Sequence, residues 1–182
     1  MSKTVYYLPG WGGRLSTGLG QALTERGYDL AGRETRGDFK EAGFTAQVQM
    51  VAEDLVRYFW SADSKVIANS FGGYLFLHAQ SRLEPFPGNV ILLSPIVGAF
   101  DSDERDLHFV PPYAELLPAL IESGKMPTPL NIQIHTGELD WQSTPQAVKI
   151  LGQHLGIDVH IVSGAGHNLP KEYVSKLLDG WC

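Results

Sequence analysis

The sequence predicts an α/β fold: a three-layer sandwich with a mainly parallel sheet of about six strands and helices on both faces. Three observations lead there. Short apolar runs alternate with segments of helical periodicity about six times along the chain, the rhythm of a parallel sheet joined by right-handed crossovers. Val66-Ile67-Ala68 is uniformly apolar, as a strand buried on both faces must be. The segment that follows, from Tyr74 to Gln80, is apolar nearly all round, as a helix packed against a sheet must be.

Taken in order, Thr4–Leu8 is a strand stopped by Pro9-Gly10-Trp11-Gly12-Gly13-Arg14. That turn lacks the Lys-Ser/Thr ending of a P-loop and the spacing of a dinucleotide turn. It is therefore either a tight connection or a turn that offers backbone N–H groups to a site. Leu19, Ala22, Leu23 and Arg26 have helical spacing, and Gly27 can end that helix in the left-handed conformation. Residues 28–32 form a weaker strand, and residues 34–43, polar and broken by glycine, a loop. Val48, Val51, Ala52, Leu55 and Phe59 mark an amphipathic helix.

Beyond the central strand, Asn89–Leu93 is a strand ending at Ser94-Pro95, and residues 130–135 another, ending at Thr136-Gly137. Pro145 suits the first turn of a helix capped by Thr144. Residues 157–162 are the last strand, and Tyr173, Val174, Leu177, Leu178 and Trp181 close the chain as an amphipathic helix that starts near Pro170. Residues 97–129 break the rhythm. They carry Asp101, Asp103, Glu104 and Asp106 and a short helical pattern at residues 113–121. They are expected to be a short excursion over the strand ends within a single domain, 1–182.

Composition narrows the function classes. With 182 residues, 43% of them hydrophobic and 19% charged, the chain is neither disordered nor fibrous. A net charge of −6 without a basic cluster argues against a nucleic-acid partner. The only cysteine, Cys182, excludes an internal disulfide and favours a reducing compartment. No apolar run reaches membrane-spanning length, and Val5 to Leu8 is too short for the core of a signal peptide. A cytoplasmic location is expected.

In a parallel sheet, ligands bind beyond the carboxyl ends of the strands. One of those ends is Ala68-Asn69-Ser70-Phe71-Gly72-Gly73, where small residues two before and two after Ser70 allow a tight strand-to-helix turn that exposes the hydroxyl. The same serine is also what a simple helix cap would look like. A serine nucleophile needs a base, and the base needs a carboxylate to orient it. Gly137-Glu138-Leu139-Asp140 and Gly164-Ala165-Gly166-His167 follow the last two strands and put Asp140 and His167 on the face where Ser70 is exposed. Glu138 and Asp101 are alternative acids. Ser94 is read as a strand-end cap and His78 as a hydrogen-bonded core residue. His135 lies in a strand, and His108, His154 and His160 have no partner pattern. No histidine pair has metal-ligand spacing with a carboxylate, so no metal is expected.

These residues resemble those of a small α/β-hydrolase over nearly the whole chain. Asn69-Ser70-Phe71-Gly72-Gly73 matches the family's nucleophile elbow, with Ala68 in place of its first glycine. Residues 136–140 resemble its acid loop, and residues 164–167 its histidine loop. The size is similar to that of minimal-cap members such as serine hydrolases of the retinoblastoma-binding-protein type; the first two strands of the full fold are missing. The resemblance implies a compact α/β-hydrolase fold and a Ser70–His167–Asp140 triad. It also implies an oxyanion hole made of the Trp11 and Phe71 N–H groups, because Gly10-Trp11-Gly12 sits where the family's His-Gly-x turn lies. Pro9 stands where that histidine is usual.

The expected activity is hydrolysis of small carboxylic esters through an acyl-enzyme, without cofactor, with a thioester or amide hydrolase or an acyltransferase as alternatives. A non-catalytic protein that kept the fold is the rival from another class. Ser70 at the elbow disfavours an aspartate-nucleophile dehalogenase or epoxide hydrolase. Trp11, Phe71 and Trp141 adjoin site residues, and Trp141 is a candidate substrate contact. Together the three are expected to narrow the entrance, or else to belong to the core.

Overall fold

The computed structural model describes residues 4–181, so Cys182 lies outside the described residues. Strands β1 (Thr4–Leu8), β2 (Asp29–Gly32), β3 (Lys65–Asn69), β4 (Asn89–Leu93), β7 (Asn131–Gly137) and β8 (Val159–Val162) form one sheet. Their order is β2-β1-β3-β4-β7-β8, and every neighbouring pair is parallel. The remaining two, β5 (Phe100–Ser102) and β6 (Leu107–Phe109), pair antiparallel as a separate hairpin.

Alternation along each strand sends side chains to two cores. Tyr6, Leu8, Val66, Ala68, Val90 and Leu92 pack on α3 (Phe44–Tyr58), α4 (Phe71–Gln80) and α6 (Pro145–Leu155). Val5, Tyr7, Ile67, Ile91 and Leu93 point the other way, against α1 (Leu19–Glu25) and α7 (Lys171–Asp179). Both faces of β3 are thus covered, which is why residues 66–68 carry no polar position. Every residue of α4 is buried, and each large apolar side chain so placed stabilises the fold by about 1.5–3 kcal/mol. At α6 the Thr144 hydroxyl accepts from Ala147 N–H, with Pro145 in the first turn, as the sequence implies.

The structure departs from the sequence reading at several elements. Within residues 34–43, expected as a loop, lies the short helix α2 (Gly37–Glu41); the Lys40 carbonyl accepts from Gln47 Nε2 at 2.9 Å. Helix α4 starts at Phe71 rather than Tyr74, directly after the turn, and β8 is two residues shorter than expected. Residues 97–129 contain the β5–β6 hairpin as well as the foreseen helix, α5 (Leu116–Glu122). Their acidic run is solvated, with Asp101, Asp103, Glu104 and Asp106 all exposed. No helix of the described residues is long and apolar enough to cross a membrane.

Candidate active site

Ser70 occupies the single residue between β3 and α4, with φ 53° and ψ −121°. A non-glycine residue adopts such a backbone only when its surroundings hold it there, at a cost of about 1–3 kcal/mol. Three backbone hydrogen bonds do so: Ser70 N–H to Leu93 C=O at 3.0 Å, and Ile96 N–H and Tyr74 N–H to Ser70 C=O at 3.1 and 3.3 Å. Glycine is required at the next turn position but one, because a Cβ on Gly72 would lie 2.1 Å from the Leu8 carbonyl oxygen. Alanine suffices at position 68, where the side chain is fully buried in the core.

The Ser70 hydroxyl lies 2.8 Å from His167 Nε2, and His167 Nδ1 lies 3.0 Å from both oxygens of Asp140. Three strand ends therefore deliver one hydrogen-bonded row. With the imidazole neutral, Asp140 as acceptor fixes the proton on Nδ1, and Nε2 then accepts from the serine hydroxyl.

The Asp140 carboxylate is fully buried. Burial raises its pKa, but hydrogen bonds from His167 and from the backbone N–H groups of Ser143 and Gln142, both 2.9 Å from Oδ1, outweigh this. The net effect holds the carboxyl below its ordinary value, ionised beside the imidazole. Thr136 Oγ1 donates to Ser143 C=O at 2.9 Å and lies 3.3 Å from Asp140 Oδ2, while Ser143 Oγ donates to Ser94 C=O at 2.6 Å. The supporting roles of Thr136, Gln142 and Ser143 were absent from the sequence reading. Their only signal was Thr136 before the acid and Ser143-Thr144 after it; Gln142, which donates through its backbone, gave none.

The alternative acids are elsewhere. Glu138 is exposed and accepts from Gly164 N–H and Ser163 Oγ, both at 2.8 Å; these bonds keep its carboxyl below its usual value. Asp101 lies on the hairpin, 77% exposed, 4.0 Å from His108.

Gly10 lies against Ser70: a Cβ there would meet Ser70 Cβ at 3.2 Å. Residues 10–13 form a β-turn closed by Gly13 N–H to Gly10 C=O at 2.9 Å, with Gly12 at φ 72°. Neither the Trp11 N–H nor the Phe71 N–H has an acceptor among the described residues. The Trp11 ring is exposed, meets Phe71 edge-on at 4.9 Å and carries the Lys40 ammonium 4.9 Å from its centroid.

Phe71 itself belongs to the core, the second of the two readings given for it. Trp141 is half-buried between Phe100 of β5, at 5.7 Å, and the Arg105 guanidinium, at 5.1 Å.

Three further expectations need correction. His78 is buried, but its Nε2 has no hydrogen-bond partner; its ring packs edge-on against Tyr74 and Phe44 instead. Ser94 caps nothing, since its Oγ is buried without a partner while its backbone, at φ 43°, bridges to β7. His160 does have a partner: in register on neighbouring strands, it stacks on His135 at 4.5 Å, and His135 Nδ1 meets Tyr173 Oη at 2.7 Å.

Solved structures match this architecture over almost its full length. Mouse alpha/beta hydrolase domain-containing protein 10 aligns with a TM-score of 0.71 at 14% identity, covering 98% of this chain and 90% of its own. Esterase PE8 gives 0.62 at 18% identity, over 98% and 93%. The chain has the α/β-hydrolase fold. A monoacylglycerol lipase from Paleococcus ferrophilus gives 0.61 at 13% identity, over 98% and 93%. No protein-family model and no curated protein matches the sequence. The α/β-hydrolase sheet here carries Ser70 at its centre, and Asp140 and His167 beyond its last two strands.

Proposed function

We propose that this protein is a serine hydrolase that cleaves small carboxylic esters, with Ser70 as nucleophile, His167 as general base and acid, and Asp140 as the acid that orients His167. The observation that carries the reading is the 2.8 Å contact between Ser70 Oγ and His167 Nε2 at a residue held in strained backbone geometry. A serine kept only as a helix cap would bond to its own helix, and Ser70 makes no such side-chain bond.

In this mechanism Ser70 Oγ attacks the ester carbonyl carbon as its proton passes to His167 Nε2, and the imidazolium is stabilised by Asp140. The carbonyl oxygen becomes an oxyanion that accepts from Trp11 N–H and Phe71 N–H, each donor contributing on the order of 100- to 1,000-fold in rate. Collapse expels the alcohol, protonated by His167, and leaves an acyl-serine. Water, deprotonated by His167, attacks that acyl group and releases the acid and free Ser70. Every proton taken by His167 is returned within the cycle, and no cofactor enters it.

The same machinery serves thioesters, amides or acyl transfer, and esters are favoured because two of the similar structures are named as an esterase and a lipase. Within the fold we assign the chain to the minimal-cap serine hydrolases of the retinoblastoma-binding-protein type, as one domain with residues 97–129 as a short excursion. The Asn69-Ser70-Phe71-Gly72-Gly73 elbow and the short cap segment support that narrower assignment. A non-catalytic relative would have no reason to keep the three side chains in hydrogen-bond contact. The test is labelling by a fluorophosphonate probe: wild type labels at one site, and Ser70→Ala does not. Absence of labelling in the wild type would overturn the assignment.

A further inference from the structure

We propose that Thr35 is the positioning residue of the oxyanion turn, acting from the loop after β2. The inference rests on the serine-hydrolase reading above and specifies how that site holds its first oxyanion donor.

The turn at residues 10–13 contains three glycines among its four residues, and glycine-rich backbone is the least able to hold one conformation unaided. Its own single hydrogen bond, Gly13 N–H to Gly10 C=O, leaves the turn free to rock. Thr35 supplies what is lacking. It follows β2, the strand that pairs with β1, so the loop after β2 runs alongside the turn after β1. Its hydroxyl donates to Gly10 C=O and accepts from Gly13 N–H at 3.0 Å, spanning both ends of the turn. Its own carbonyl accepts from Gly12 N–H at 3.1 Å.

A single side chain therefore has its donor and an acceptor site both used, and it is 2% exposed, so no water competes for either. The N–H groups of Gly12 and Gly13 are engaged by this arrangement. That of Trp11, between the clamped ends, is left without an acceptor among the described residues.

The clamp is itself anchored. Glu34 Oε1 accepts from Leu15 N–H at 3.0 Å, just beyond the turn. On the other side Arg33 makes a two-pronged pair with Asp54 of α3, both contacts at 2.7 Å, and Asp54 also accepts from Tyr6 Oη at 2.8 Å. Residues 33–35 thus fasten the turn to α3 and β1. A threonine that served only to fill space would not need both hydroxyl bonds, since valine has the same shape.

The experiment compares Thr35→Val with Thr35→Ser on a neutral aryl ester. Valine keeps the volume and removes both hydroxyl bonds; serine keeps them. With the oxyanion donor misaligned rather than deleted, Thr35→Val should lower kcat about 10- to 100-fold with KM within about twofold. A boronic acid that mimics the tetrahedral intermediate should bind more weakly by the same factor as kcat/KM falls. Thr35→Ser should keep kcat within about threefold of wild type.

A purely structural role would lower the melting temperature of Thr35→Val without moving kcat or boronate affinity, and that result would overturn the proposal. Should Thr35→Val fail to fold, Thr35→Ala replaces it in the comparison, and equal kcat in the serine and alanine variants overturns the proposal. Failure of the hydrolase reading looks different: wild type itself then does not label with fluorophosphonate, and the proposal falls with it. If wild type labels at Ser70 and Thr35→Val labels at the same rate, the hydrolase stands and only the role of Thr35 is lost.

Discussion

Asp140 gives both carboxylate oxygens to His167 at 3.0 Å while Oδ1 also accepts two backbone N–H groups from residues 142 and 143. An amide cannot reproduce this pattern. Asn offers one oxygen and one NH₂, and the NH₂ would face either a backbone donor or the imidazole proton. Asp140→Asn is expected to lower kcat by about 10⁴, the cost of the wrong imidazole tautomer in such a triad. Glu138→Gln and Asp101→Asn are expected to stay near wild type, because neither carboxylate reaches His167. Ester turnover of the three variants decides; a crippled Glu138→Gln beside an active Asp140→Asn would reverse the assignment.

Two buried histidines make stability depend on pH. His78 and His135 are each pushed down to about 4, chiefly by burial, with Arg82 and His160 respectively adding to the shift. Their folded-state pKa lies below the unfolded value near 6.5, so the unfolded chain binds protons first as pH falls. The stability they confer is complete above pH 6.5 and is lost progressively down to about pH 4. Between pH 8 and pH 5 the loss is about 2 kcal/mol for each. Urea unfolding of His78→Phe should show a shallower decline over that interval than wild type; an unchanged slope would mean His78 takes up its proton alike in the folded and unfolded chains.

The elbow tolerates no side chain at position 72. Gly72→Ala drives a methyl into the Leu8 carbonyl and should cost about 3 kcal/mol, with loss of fluorophosphonate labelling as the start of α4 is pushed off the end of β1. Gly98→Ala, whose methyl would meet nothing closer than 3.7 Å, is the control and should leave the melting temperature within a degree or two. Equal stability of the two variants would contradict the packing described for the turn.

Trp11 stands exposed on Phe71 within the turn after β1, and Trp141 is pinned between Phe100 and Arg105. Short acyl chains are therefore expected to give the highest kcat/KM in an aryl-ester series, and Trp11→Ala to shift the optimum to longer chains. The exposed carboxylates of residues 101–106 should slow anionic esters relative to neutral ones, a difference that shrinks as salt rises. A wild-type optimum at long chains would rule out the role given to Trp11.

What was legible in the sequence was what local rules determine. Apolar runs located β3 and β4, and Thr144-Pro145 marked the start of α6 because a cap and a first-turn proline act within four residues. Ser70, Asp140 and His167 were legible because each follows a strand, and parallel strands end on one side. Pairings set by neighbouring strands were not. His135 and His160 stack only because β7 and β8 bring them into register, and Thr35 meets Gly10 across 25 residues for the same reason. Helix α2 is five residues with no apolar stripe, so periodicity had nothing to register. The hairpin strands are three residues each, below the length at which alternation can be read.

The row Ser70–His167–Asp140 draws its members from strands between the middle of the sheet and its edge. Ser70 follows the central strand β3, whereas His167 lies between the edge strand β8 and α7, which returns beneath the centre to bury Leu178 against Val5 and Tyr7. Lys65 Nζ donates to the Trp181 carbonyl at 2.7 Å, and Arg26 pairs with Asp179 at 2.8 Å, so the return is fastened to β3 and to α1. On the ribosome Ser70 emerges 97 residues before His167. Under the mechanism proposed above, a nascent chain can therefore hold a formed elbow and still be chemically inert. A chain cut short after β8 would carry the serine without the imidazole that takes its proton.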